Sequence, residues 1–104
     1  MFDTIKSMVG LDSTDYSQLV KEGAIILDVR SKGEYACGHV KGSMNIAVDR
    51  LESNLGQLKN KEKTIITCCA SGMRSGSAKS ILEENGYQSV YNGGAWQRLN
   101  QKLG

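Results

Sequence analysis

Cys68-Cys69-Ala70-Ser71-Gly72-Met73-Arg74-Ser75 joins a nucleophilic side chain directly to small residues and a cation. A thiol in that setting becomes reactive without a histidine. If the amides of Ala70 to Arg74 turn inward, they form a concave anion-binding nest, and a helix starting there points its positive end at the sulfur. Such an environment favours thiolate over thiol, bringing a cysteine from about 8.5 into the range of about 3.5–7.5. Gly72 permits backbone conformations that a side chain would obstruct, and Arg74 adds a permanent planar donor suited to an oxyanion. The stretch reads as a nucleophile with an oxyanion pocket. The competing reading is packing, because free cysteine is among the most often buried residue types. The order Cys-small-small-Gly-x-Arg-Ser tips the balance toward chemistry.

A loop of this kind needs a strand ending at the cysteine and a helix beginning just after it. Thr64-Ile65-Ile66-Thr67-Cys68 supplies the strand, β-branched and preceded by the charged turn Lys61-Glu62-Lys63. Ala78, Ile81 and Leu82 mark the inward face of the helix, which Asn85-Gly86 closes. Earlier, Ala24-Ile25-Ile26-Leu27-Asp28-Val29 is a nearly continuous apolar run, as in a strand covered on both faces. Asp12 or Ser13 is expected to cap a preceding helix carrying Tyr16, Leu19 and Val20 and ending at Gly23. Phe2, Ile5 and Val9 suggest a short amphipathic turn before it.

Ser31 to Gly42 is polar and glycine-dotted, with a helical turn expected at Lys32–Cys37, and Met44 to Val48 reads as a strand. Asp49 is then expected to cap a helix with Leu51, Leu55 and Leu58 on one face. A fourth strand at Gln88 to Tyr91, a turn at Asn92-Gly93-Gly94 and a helix with Trp96 and Leu99 complete the chain. Strands alternating with helices imply right-handed crossovers, hence an α/β fold: a parallel sheet of four or five strands with helices on both faces. Ligands of such sheets bind beyond the carboxyl ends of the strands, where Cys68 and Cys69 fall.

The chain has 104 residues and a mass of 11.3 kDa, which predicts one domain over residues 1–104. Apolar residues form 39% and charged ones 23%, ordinary for a globular protein and unlike a disordered tail. Thirteen Lys and Arg against eleven Asp and Glu give +2, which argues against nucleic-acid and membrane-surface partners. Nothing approaches the ~20 apolar residues of a membrane span. Met1-Phe2-Asp3-Thr4-Ile5-Lys6 has an early acid and does not read as a signal peptide, so a cytoplasmic location is expected. Three cysteines, two of them adjacent, make a poor disulfide framework and fit a reducing compartment. One histidine and no CxxC spacing leave too few ligands for a zinc site, so neither metal nor cofactor is expected.

From about Tyr16 onward the chain resembles the single-domain rhodaneses, a sulfurtransferase family. The resemblance rests on three segments in order. Leu27-Asp28-Val29-Arg30, Glu34-Tyr35 and Gly38 to Ile46 are similar to the family's early signature; Cys69 to Ser75 resembles its active-site loop; Gly93-Gly94-Ala95-Trp96 resembles its late turn and helix. Two departures are Ala47, where the family often has proline, and Cys68, where it often has an aromatic residue.

The resemblance implies that Cys69 takes a sulfane sulfur from thiosulfate or a similar persulfide donor, holds it as a persulfide, and passes it to a thiophilic acceptor. The acceptor would be cyanide, a thiol, or a thioredoxin-like or other protein. Ala70, Ser71, Gly72, Met73, Arg74 and Ser75 would bind substrate, with Met73 at the entrance and Arg74 holding the donor or bonding to loop carbonyls. Ser71 and Ser75 would donate to the sulfur or cap the helix, with capping preferred for Ser75.

Counted from Cys68 instead, five residues precede Arg74, the spacing of cysteine-dependent phosphatases and arsenate reductases. That alternative lacks an evident general-acid loop. A third reading is a non-catalytic binding module, for which the intact Cys69 and Arg74 have no physical purpose. Neighbouring residues in a strand face opposite ways, so Cys68 is expected to be packing. His39 is expected to be a structural hydrogen-bonder and Trp96 part of the core. Asp28, Arg30 and Glu34 are expected to form an internal ion-pair arrangement that fixes a loop, and Cys37 is given no role.

Overall fold

Two aliphatic runs become the centre of the sheet. The structure, a computed structural model, describes residues 14–104. Within them β1 (Ile25–Asp28) and β3 (Ile65–Cys69) lie side by side, with Ile26 opposite Ile66 and Asp28 opposite Cys68. The short β2 (Met44–Asn45) pairs with the outer edge of β1, and β4 (Val90–Ala95) with the outer edge of β3. The order is β2-β1-β3-β4 and every pairing is parallel. This is the expected α/β architecture, with four strands.

Side chains alternate across the sheet and so divide the core in two. Ile26, Ile66 and Cys68 pack with Tyr16 and Leu99, which come from α1 (Tyr16–Lys21) and α4 (Trp96–Leu103). Leu27, Ile65 and Cys69 face the other way, toward Leu51, Leu58, Ala78 and Leu82. That second face is covered by α3 (Met73–Glu84) and by two 3-10 segments, Val48–Arg50 and Glu52–Gln57. A further short helix, α2 (Lys32–Ala36), follows β1 and is closed by a reciprocal cap between Ser31 and Glu34.

Three expectations need correction. The α-helix predicted after Asp49 is replaced by the two 3-10 segments, with Asn54 outside helical geometry. The cause is local. Asn54 Nδ2 and Ser53 Oγ donate to the Arg50 carbonyl at 2.7 and 3.2 Å, taking an acceptor that a regular helix needs. Leu51 and Leu58 are buried all the same.

The turn predicted at Asn92-Gly93-Gly94 is instead part of β4. A Cβ on Gly93 would lie 2.8 Å from both Ile66 Cγ2 and the Thr67 carbonyl, so only glycine lets β4 run that close to β3. Thr67 pairs with Asn92 and Cys69 with Ala95, one residue more on β4, which makes a bulge beside the cysteine. Third, Asp15 caps α1 by accepting from the Gln18 amide at 3.1 Å. Asp12 and Ser13, like the Phe2, Ile5 and Val9 turn, lie outside the described residues.

Candidate active site

β3 delivers Cys69 to the carboxyl edge of the sheet, and the chain turns through Ala70-Ser71-Gly72 into α3. Gly72 makes this turn possible: it stands at the helix N-cap with φ +104°, a conformation L side chains rarely adopt. The turn folds the first amides of α3 back over the thiol. Gly72 N donates to Cys69 Sγ at 2.9 Å and Ser75 N at 3.3 Å, while the Ser75 hydroxyl lies 3.5 Å away. Burial pushes the Cys69 thiol up. The Ser75 hydroxyl and the amides of Ser75, Gly72 and Ser71 outweigh it, so its pKa settles below the ordinary value.

Cys68, one residue earlier, has the opposite surroundings. Its sulfur lies on the α1–α4 face, and among the described residues none donates a hydrogen bond to it. Burial, reinforced by the negative charge of Asp28 and partly offset by Arg30, pushes its thiol up to about 12. The loop amides therefore face Cys69 and not Cys68.

The remaining loop residues divide by exposure. Ala70, Ser71 and Met73 are exposed, Met73 to 81%, which sets a large apolar side chain at the mouth. Ser75 is fully buried and caps nothing, since Gly72 holds the N-cap position; this corrects the capping expectation. Its hydroxyl lies 2.6 Å from Asn92 Oδ1 and 3.0 Å from the Gly72 carbonyl. Asn92 Oδ1 also accepts from the Gly94 amide at 3.0 Å. Thr67 Oγ1 donates to the Ser75 carbonyl at 2.9 Å and so fastens α3 to β3. Asn92 and Thr67 escaped the sequence reading because their partners are 17 and eight residues away. The signal for Thr67 was its parity with Cys69 along the strand.

Arg74 bonds neither a loop carbonyl nor another loop side chain. Its Nη1 and Nη2 meet Glu34 Oε1 and Oε2 at 2.8 and 3.0 Å, a bidentate pair across 40 residues. Arg74, then the Ser31 amide and hydroxyl, hold the Glu34 carboxyl down at about 2. The expected arrangement of Asp28, Arg30 and Glu34 is thus partly right. Arg30 pairs with Asp28 at 2.7 Å and is buried with it, but the Glu34 carboxylate goes to Arg74. Arg30 instead donates to the carbonyls of Glu34 and Gly38 and stacks over Trp96, 4.7 Å from the ring centroid. It thereby fixes the segment that presents Glu34.

His39 donates from Nδ1 to the Tyr35 carbonyl at 2.8 Å and stacks on the Tyr35 ring, a structural role as expected. Trp96 is half-buried against the α1–α4 core. Cys37 is exposed. A cavity of about 570 Å³ opens at the ends of β1 and β2, lined by Lys32, Asn45, Asp49 and Arg50 and by no residue of the cysteine loop.

A thiol cradled by backbone amides at the end of a central parallel strand can accept or hold one small electrophilic atom. Residues 12–98 match the family model described as the rhodanese-like domain. The chain belongs to that family. This rhodanese-like domain is 32% identical over 73 residues to the uncharacterized protein YibN of Escherichia coli, covering 68% of the chain and 51% of YibN. It therefore spans about half the length of that relative. It is 36% identical over 69 residues to the thiosulfate sulfurtransferase PspE of E. coli, covering 65% of the chain and 66% of PspE. The solved human single-domain sulfurtransferase TSTD1 superposes with a TM-score of 0.70 at 29% identity, covering 84% of the chain and 89% of TSTD1. The domain also occurs within proteins named tRNA uridine(34) hydroxylase, in one of which the match spans 33% of the length. Among the described residues, no helix is long and apolar enough to cross a membrane.

Proposed function

We propose that this rhodanese-like domain is a sulfurtransferase whose nucleophile is Cys69. The observation that carries the reading is the set of donors on Cys69 Sγ, from Gly72 and Ser75. They favour the thiolate, the nucleophilic form, and remain available to hold a second sulfur attached to it.

The Cys69 thiolate attacks the outer sulfur of the donor. A Cys69–sulfur bond forms, the sulfur–sulfur bond of the donor breaks, and its electron pair leaves with sulfite when the donor is thiosulfate. An acceptor thiolate or cyanide then attacks the outer sulfur of the Cys69 persulfide, and the electron pair returns to Cys69 as thiolate. No base is needed in either half-reaction, because both nucleophiles react as anions. Three free cysteines suit a reducing, cytoplasmic setting, and a small thiol or a thiol-bearing protein serves as acceptor there.

The test is intact mass after incubation with thiosulfate and removal of the donor. One added sulfur atom, released by a reductant, is expected for the wild type and for Cys68→Ser, and not for Cys69→Ser. Loading that follows Cys68 instead would transfer the role to that residue, and no loading at all would leave a binding module.

A further inference from the structure

Around the Cys69 cradle, charge is cancelled almost as soon as it is introduced. Ala70, Ser71 and Met73 carry none. Arg30 is buried in its pair with Asp28. Arg74, the one cation in the loop, has both terminal nitrogens turned to the two oxygens of Glu34. Lys32 and Arg50 line the separate cavity at the ends of β1 and β2. Among the described residues of the loop itself, what remains to attract an anion is the set of amides, and those of Gly72 and Ser75 already point at the thiol.

We infer that Glu34 is a positioning residue that sets donor specificity. By occupying Arg74 it removes the free cation from the mouth and turns the site toward sulfane donors with one negative charge or none, organic persulfides and thiosulfonates, over the thiosulfate dianion. The inference rests on the sulfurtransferase reading of Cys69 and deepens it. A thiolate approached by a dianion meets repulsion that amides already bonded to the sulfur offset only in part and that a neighbouring free cation relieves further. A donor with one charge fewer meets about half of it.

The guanidinium keeps hydrogen atoms that do not face Glu34, so Arg74 still donates to a sulfonyl or thiol group of the donor; what it lacks is uncompensated charge. Glu34 is well held for this purpose. Its carboxylate also accepts from the Ser31 amide at 2.9 Å, and Arg30 grips its carbonyl. The pair is preorganised on the protein side and does not wait for substrate. The exposed Met73 extends the same preference, since an organic substituent finds apolar surface there and an oxyanion does not.

With an organic persulfide the step balances as before. The Cys69 thiolate takes the outer sulfur, the donor's sulfur–sulfur bond breaks, and the thiolate of the donor leaves. With a thiosulfonate the leaving group is a sulfinate.

Thiosulfate and methanethiosulfonate make a matched pair of probes, nearly equal in shape but differing by one oxyanion replaced by methyl. Sulfur loading of Cys69 is measured with each, separating KM from kcat. In Glu34→Gln, which keeps an oxygen for the Ser31 amide, thiosulfate kcat/KM is expected to rise about tenfold through KM, the scale of a single ionic attraction at a half-exposed site. Methanethiosulfonate is expected to change far less. Glu34→Asp is expected to keep the wild-type ratio, and adding Arg74→Gln to Glu34→Gln to remove the rise.

A ratio of the two donors that stays fixed in Glu34→Gln, or a parallel fall with both, overturns the inference and leaves Glu34 a structural residue. A salt series on the wild type tests it without any variant. Loading from thiosulfate is expected to vary with ionic strength no more steeply than expected for a neutral mouth; a steep fall confined to the dianion reveals an uncancelled cation and overturns the inference. Wild-type protein that loads from neither probe is a separate result, and it overturns the sulfurtransferase reading itself.

Discussion

Cys68 and Cys69 share a strand, a burial class and a side chain, yet the protein drives their acidities in opposite directions. Both lose water entirely, and burial raises both. The difference is the number of hydrogens aimed at each sulfur. Cys69 looks into the first turn of α3, where helix geometry leaves amides without partners in the chain and Gly72 lets them curl inward. Cys68 looks between α1 and α4, among Ile66, Tyr16 and Leu99, with the Asp28 carboxylate as its adverse neighbour. A buried thiol is thus inert or reactive according to the donors set against its desolvation, and the two-residue period of a strand is enough to separate the cases.

The sharpest way to break that comparison is to exchange each thiol for a hydroxyl. Cys69→Ser is expected to abolish sulfur uptake, read by intact mass, with little change in unfolding midpoint, because Gly72 N and Ser75 N can donate to the new oxygen. Cys68→Ser is expected to retain uptake. It costs about 1–3 kcal/mol in denaturant unfolding, since its hydroxyl enters an apolar layer without a partner. Equal losses of uptake would mean that the two sulfurs share the chemistry.

Two glycines sharpen it next. Gly93→Ala forces a methyl against Ile66 and the Thr67 carbonyl, and a stability loss of about 1–3 kcal/mol is expected from overpacking. Gly72→Ala has room, its nearest neighbour being Gly94 Cα at 3.5 Å, but it strains a backbone at φ +104°. Its expected signature is slower Cys69 alkylation at neutral pH, by about tenfold as the amide swings off the sulfur. Unchanged alkylation would show that Gly72 serves only the turn.

A smaller effect is expected at Ser75. It has one hydroxyl hydrogen and three acceptors within reach: Asn92 Oδ1 at 2.6 Å, the Gly72 carbonyl at 3.0 Å and Cys69 Sγ at 3.5 Å. Ser75→Ala leaves the amides in place and removes only the hydroxyl. Alkylation of Cys69 is expected to slow severalfold, because the hydrogen is divided between the sulfur and Asn92. Should Asn92→Ala speed alkylation, that competition is demonstrated directly.

How far this site could be read from sequence follows the range of the interactions. Ile25-Ile26-Leu27 and Ile65-Ile66 announce central strands because a parallel sheet covered on both faces asks only for continuous apolar side chains. Gly72 and the existence of an amide nest are legible because they lie within six residues of Cys69, although it is Ser75 N, one residue beyond the expected Ala70–Arg74 amides, that joins Gly72 N on the sulfur. Glu34 was visible as a charge but not as the partner of Arg74, since that pairing exists only after β1 and β3 have docked. Asn92 was hidden by its own composition. Asn-Gly-Gly signals a turn in isolation, and only the need of β4 to press against Ile66 and Thr67 makes it a strand. The 3-10 segments were lost to Ser53 and Asn54, whose bonds to Arg50 outcompete the leucine spacing.

The gentlest probe of the two thiols is alkali. Unfolded, Cys68 ionises near its ordinary value of 9.0; folded, it holds its proton up to about 12. Between those values the native state binds one proton more than the unfolded state, so stability falls as pH rises. Cys69 is shifted the other way, so its contribution is complete above the unfolded value and is lost as pH falls through the folded one. Tyr87, whose phenol is raised by burial, bends the curve in the same sense as Cys68. Cys68→Ala removes one of these causes and keeps the other. Its unfolding midpoint is therefore expected to decline less steeply than that of the wild type above about pH 9, whatever its offset at neutrality. Parallel curves would mean that Cys68 is no more desolvated than its unfolded counterpart, and the contrast between the two sulfurs would then rest on Cys69 alone.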